Sequence, residues 1–180
     1  MHADTFLKET AAIADGLDRD VIEKIAQELV ELRARNGRLF LLGLGGSAAN
    51  CSHAAADFRR LCRIDARTPA DSMAEFSARS NDDGFDMVLR GWLETERAGY
   101  GDACLILSVG GGTDEVSVSI SKAVDYSALN NIRILGIVGP NGGHTKNRGD
   151  VVLCVPVGNP KHVTPHTEAF QAVIWHALVS

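Results

Sequence analysis

Four side chains able to move protons or hold a metal stand on two stretches that read as helices: His53 and Asp57, four residues apart, and Glu168 and His176, eight apart. A spacing of four puts His53 and Asp57 on one helical face. Eight residues make a little over two turns, so Glu168 and His176 face roughly one direction. Two imidazoles and two carboxylates suit a borderline divalent cation, zinc first among them, in a set more anionic than is usual. The same groups suit a proton abstracted from one carbon and delivered to its neighbour, with Asp57 or Glu168 as base and His176 as the partner acid. Each has a plainer reading beside the chemical one. His53 and Asp57 also make an ordinary surface pair, and Glu168 an ordinary first-turn charge favoured by the helix dipole.

Two glycine-rich turns supply what these groups would act on. Gly43-Leu44-Gly45-Gly46-Ser47-Ala48-Ala49 lies between an expected strand and an expected helix. Glycines there let the backbone approach an anion, Ser47 is placed to cap the helix, and the helix N-terminus favours negative charge. The string also matches GxGxxA with Asp65 about 20 residues on, the pattern of a nicotinamide dinucleotide site. Ser108-Val109-Gly110-Gly111-Gly112-Thr113 is a second such turn, with two hydroxyls. Two turns at one sheet edge suit a single small phosphorylated ligand better than a long dinucleotide.

The elements that must position these residues follow from periodicity. Residues 1–36 show apolar spacings of three, four and seven, which predict two helices broken near Gly16 and stopped at Asn36-Gly37. The second carries an apolar stripe (Val21, Ile25, Leu29, Leu32) able to pack on its own sheet or on a partner subunit. From residue 37 onward, short continuous apolar runs (Leu39–Leu42, Cys104–Leu107, Ile134–Val138 and Val151–Val155) read as strands buried on both faces. Helices are expected near 48–62, 84–98, 114–129 and 166–179, and the segment 65–79 leaves room for one further short strand. Alternation of this kind predicts a parallel sheet with helices on both faces, in one domain of two parts, 1–36 and 37–180.

Composition narrows the partners. The 180 residues are 45% hydrophobic and 23% charged, with a formal net charge of −5. Lys and Arg are scattered, so nothing resembles a nucleic-acid-binding stripe. Cys51, Cys62, Cys104 and Cys154 form no CxxC, and three of them fall in apolar segments, which suggests structural thiols in a reducing compartment. The first residues lack a basic start followed by an apolar run, and no apolar stretch of membrane-spanning length occurs, so a cytoplasmic protein is expected.

With these motifs in order, the chain resembles the sugar-isomerase (SIS) fold and, within it, the phosphoheptose isomerases. GLGGSAANCSHAAAD over Gly43–Asp57 is similar to the family's GGSA turn and following His, and Ser108–Thr113 to its serine-rich phosphate loop. Ser80-Asn81-Asp82 resembles its Asn-Asp pair, and Thr164–His176 its C-terminal helix. The resemblance implies a five-stranded parallel α/β/α fold of flavodoxin-like type. It implies a homotetramer with active sites between subunits, and conversion of sedoheptulose 7-phosphate to D-glycero-D-manno-heptose 7-phosphate through an enediolate. It also implies zinc on His53, Asp57, Glu168 and His176, and substrate contacts from Gly45, Gly46, Ser47, Asn81, Asp82, Ser108, Gly110, Gly111, Gly112, Thr113 and Glu168. Asp57 stands where Glu is usual and Glu168 where Gln is usual. Leu44 replaces a common Asn, Val109 and Gly110 replace hydroxyl residues, and Pro165 stands where a substrate-contacting Asp is often found, so backbone amides would carry more of the binding. A noncatalytic SIS module that senses a phosphosugar or binds protein would keep both glycine loops without needing the four polar groups. His144 reads as structural, and His162 and His166 flank a helix start at Thr164-Pro165.

Overall fold

A computed structural model describes all 180 residues. Helices α1 (His2–Gly16) and α2 (Arg19–Ala34) meet at Asp18, whose side chain accepts a hydrogen bond from the Val21 amide at 3.1 Å. That cap satisfies one of the unpaired donors of the first turn of α2. Asn36 ends α2 at φ 55°, a left-handed conformation that Asn tolerates better than most residues. The rest alternates: β1 (Arg38–Leu42), α3 (Gly46–Cys62), β2 (Asp65–Arg67), α4 (Met73–Asp82), α5 (Val88–Thr95), β3 (Ala103–Ser108), α6 (Val118–Leu129), β4 (Arg133–Val138), α7 (Gly143–Arg148), β5 (Val151–Cys154) and α8 (Val163–Val179).

All strand pairings are parallel, in the order β2-β1-β3-β4-β5. The sheet is parallel, as the alternation predicts, and five-stranded and flavodoxin-like, as the resemblance implies, with the short fifth strand in the segment left open. The strand order reverses between β1 and β3, so the turns leaving those strands, which carry the two glycine-rich motifs, flank one crevice.

Strand pleating divides the core in two. Leu39, Leu41, Leu105, Leu107, Leu135 and Ile137 pack with α1, α2, α3 and α8 on one face. Phe40, Leu42, Cys104, Ile106 and Ile134 pack with α5 and α6 on the other. The α2 stripe is thereby settled: Ile25, Leu29 and Leu32 are buried against the chain's own sheet.

At the edge where the strands begin, Asp102 accepts from the Arg38 amide at 3.0 Å, from Arg38 Nη2 at 2.7 Å and from the Gly99 amide at 3.1 Å. These bonds tie the start of β1 to the turn before β3, so register is set by charge as well as by burial.

Several expected boundaries are corrected. The helix expected over 84–98 is a 3₁₀ turn at Phe85–Met87 followed by α5, and α8 starts at Val163. The helix expected from 114 begins only at Val118, because Thr113 closes a local turn: its amide donates to the Val116 carbonyl at 2.8 Å, and its hydroxyl accepts from the Val116 amide at 2.9 Å. Ser47 does not cap α3. Gly45 occupies that position, and Ser47 is buried in the first turn. Asp65 starts β2 opposite Arg38, at the edge of the sheet far from Gly43–Gly46, and binds Arg67 at 2.7 Å. The dinucleotide reading needs an acid near the glycine loop, so the structure removes its support. No helix is long and apolar enough to cross a membrane.

Of the cysteines, Cys51 and Cys104 are fully buried, while Cys62 and Cys154 are only half-buried. Burial raises both inner thiols, Cys104 to about 12, which leaves almost no thiolate to react at neutral pH. Iodoacetamide at pH 8 should therefore label the native protein only at Cys62 and Cys154, with Cys51 and Cys104 reacting after denaturation, as read by peptide mass mapping. Rapid native labelling of either inner thiol would contradict this packing.

Candidate active site

Helix α3 leaves the first glycine loop and packs side by side with α8, the two running in the same direction. Gly46 meets Glu168, Asn50 meets Glu168 and Gln171, and His53 meets Trp175 and His176. Asn50, His53 and Asp57 recur at three and four residues and form one polar stripe facing α8.

Gly46 leaves room for the end of the Glu168 side chain. A Cβ at this position would lie 2.5 Å from Glu168 Oε2 and 2.8 Å from Oε1, so the carboxylate rests on bare backbone. Glu168 thus sits at the N-terminus of α3, where the helix dipole favours an anion, and its carboxylate accepts no hydrogen bond from the chain. Asn50 holds the helices together one turn on. Its amide donates to the Glu168 carbonyl at 3.0 Å and to Gln171 Oε1 at 3.1 Å.

Further along the groove, His53, Asp57 and His176 converge, each offering one ligand atom, with all of these within 4.8 Å of one another. His53 Nε2 lies 3.6 Å from Asp57 Oδ2. The buried Trp175 ring packs edge-on against His53, with centroids 4.7 Å apart, and stacks on His176 at 3.5 Å, which orients both imidazoles. His176 Nδ1 lies 2.7 Å from the Ala172 carbonyl. A carbonyl only accepts, so Nδ1 carries the proton and Nε2 is the atom left for chemistry.

The structure therefore brings together three of the four expected ligands and sets Glu168 apart. Eight residues of α8 rise about 12 Å, and Glu168 leans toward Gly46 instead of closing that distance. The histidines and Asp57 still fit a divalent cation by donor type and by convergence.

The second loop lies across the crevice. Gly111 and Gly112 have φ of 70° and 78°, conformations that need glycine. Their carbonyls accept from Thr145 at 2.9 Å and His144 at 2.7 Å, which braces the loop against the start of α7. His144 Nε2 is in turn 2.9 Å from Asp125 Oδ1 on α6, a structural place. Ser108 Oγ accepts from the Gly111 amide at 3.0 Å, whereas the amides of Gly110 and Gly112 donate to no group in the chain. Those two N–H groups are available to an anion. The Thr113 hydroxyl is spent on its own turn. Asn81 and Asp82 lie exposed at the end of α4, hydrogen-bonded to each other at 2.8 Å and to neither glycine loop.

Sequence reading missed Asn50 and the buried Gln171. The three-and-four spacing of Asn50, His53 and Asp57 carried the signal for Asn50. Gln171 lies within the otherwise apolar run 169–175 of α8, where nothing local marks it.

No protein-family model matches the chain. It is 32% identical to the phosphoheptose isomerase of Pelobacter propionicus over 160 residues, covering 84% of this chain and 82% of that one. It is also 32% identical to that of Chlorobaculum tepidum over 158 residues, covering 83% and 71%. Among solved structures, the phosphoheptose isomerase of Francisella tularensis superposes with a TM-score of 0.84 at 19% identity, covering 99% of this chain and 92% of that one. The enzyme of Neisseria gonorrhoeae does so at 0.83 and 20%, with the same coverage. Taken with the two loops and the α3–α8 groove, these relationships show that the chain belongs to the phosphoheptose isomerase family of sugar-phosphate isomerases.

Proposed function

We propose that the chain interconverts sedoheptulose 7-phosphate and D-glycero-D-manno-heptose 7-phosphate. The observation that carries this reading is the α3–α8 groove, where the titratable atoms of Asp57 and His176 lie within 4.8 Å of one another, a span that suits two adjacent carbons and their oxygens. The relatives named phosphoheptose isomerase supply the substrate class.

Glu168 already sets negative charge at the N-terminus of α3, so a phosphate dianion is better placed on the second loop, against the Gly110 and Gly112 amides. The first loop, through Gly45, Gly46 and Ser47, then faces the sugar. Asp57 takes a proton from C1, leaving its electron pair as the C1–C2 double bond of the enediolate, and returns the proton to C2. The O1 proton passes to O2 by way of His176 Nε2 as C1 becomes the aldehyde carbon. When zinc is held by His53, Asp57 and His176, Nε2 is its ligand and the O1 proton would instead pass to O2 through water, while the ion would supply electrophilic stabilisation of the charge developing on oxygen. A specific observation favours Glu168 as an alternative base: its carboxylate has no partner within the chain.

Conversion of sedoheptulose 7-phosphate followed by NMR tests the reading. Turnover should fall on chelation and return with zinc, and Asp57→Asn or His176→Ala should lower kcat by about 10²–10⁴-fold. A loss confined to Glu168→Gln would move the base to Glu168. Wild-type turnover in all three variants would sink the assignment, and absent conversion with retained sugar-phosphate binding would favour a sensing module.

Gly46→Ala should displace the Glu168 carboxylate and reduce kcat at least tenfold while circular dichroism stays native. Unchanged kinetics would show that this contact is dispensable.

We also propose a homotetramer with active sites between subunits. The His53 side chain is 62% exposed in one chain, whereas an enediolate is best protected where water is excluded. Leu7 on α1 and Val173 on α8 are 65% and 56% exposed, apolar surface that a neighbouring subunit would cover. Light scattering of the purified protein should give four chains per particle; a monomer that retains full turnover would refute the shared site.

A further inference from the structure

A second cluster of metal-binding groups lies at the other end of α8, about 15 Å of helix away from His176. Glu9 Oε2, on α1, receives His162 Nδ1 at 2.6 Å and His166 Nε2 at 3.0 Å. The two imidazoles are four residues apart across the first turn of α8 and converge on one oxygen. All three ligand atoms lie within 4.8 Å of one another.

Each ligand is held from behind. Asn159 donates to the other Glu9 oxygen at 2.8 Å and stands 3.1 Å from His162 Nδ1. The Phe6 ring stacks on His166 at 4.1 Å. Supporting contacts of this kind keep metal ligands oriented.

We propose that Glu9, His162 and His166 form a second, structural zinc site that clasps α1 to the first turn of α8. Two imidazole nitrogens and a carboxylate oxygen are the donor set zinc prefers among common divalent cations. Zinc–ligand bonds of about 2.0–2.2 Å place neighbouring donors about 3.3–3.5 Å apart in a tetrahedron. The observed spacings need only open by less than an ångström, and His162 and Glu9 are each about one-fifth exposed, which leaves a way in for the ion. Water completes the coordination, or His2, whose ring centroid is 6.0 Å from that of His162. The site shares no residue with the isomerase groove, and its consequence is mechanical: it anchors α1 two residues before Glu168.

The test uses the full chain, stripped by chelation and titrated with Zn²⁺ against a chromophoric competitor. The background His53→Ala/His176→Ala removes the groove's imidazoles, so its zinc reports the second cluster alone. That background should retain one zinc per chain and melt at a higher temperature with zinc than without. Adding Glu9→Gln/His162→Gln, which keeps side-chain bulk, should abolish both the zinc and the shift, with circular dichroism confirming the fold. A background that binds no zinc, or one whose zinc survives the added pair, overturns the site. A melting temperature lowered equally with and without zinc by Glu9→Gln/His162→Gln would also overturn it, leaving a hydrogen-bonded cluster only.

Discussion

The packing of α3 on α8 is the constraint on which the candidate site depends. At the leading ends of the two helices, the space left by the missing side chain of Gly46 is filled by the Glu168 carboxylate. One turn on, Asn50 crosses the interface and binds both the Glu168 carbonyl and Gln171, a polar lock that apolar packing alone would not specify. Further on, the fully buried Trp175 presents its ring to both histidines, so imidazole orientation follows from an apolar anchor. Glycine contact, amide lock and aromatic wedge together set which groups face which.

The sheet separates stability from chemistry along its length. At the edge where strands begin, Arg38 and Asp102 join β1 to the turn before β3, and Arg133 binds Glu28 of α2 and Asp150 before β5. At the opposite edge the strands end in glycine turns that leave amides unpaired, and the reversal of strand order opens a crevice between them. Arginine–carboxylate pairs join the strand starts, and backbone amides without a partner lie at the strand ends.

The departures from the family's usual pattern acquire a physical sense in this arrangement. Val109 and Gly110 stand where hydroxyls are usual, and the second loop offers backbone N–H groups in their place. Asp57 is shorter than the usual Glu, and the carboxylate at position 168, where an amide is usual, adds a second acid to the same groove. Charge removed from reach at one helix is present at the other, which is why two carboxylates have to be distinguished by experiment.

Much of this was legible in the residues themselves. Continuous apolar runs are what two-faced strands require, so four strands and the parallel class followed from hydrophobicity alone, and spacing by three and four put His53 and Asp57 on one face. Short-range chemistry of that kind is carried by neighbours in the chain. The three-residue β2 was too short to announce itself, and the turn at Thr113 delayed α6 because a hydroxyl competed with the helix for the same amides. What only tertiary structure decided was every pairing across long separations: Gly46 with Glu168, Asn50 with Gln171, and Glu9 with His162 and His166. Those meetings depend on which helices share a face of the sheet, a choice made by strand order and crossover, and no local pattern of residues encodes it.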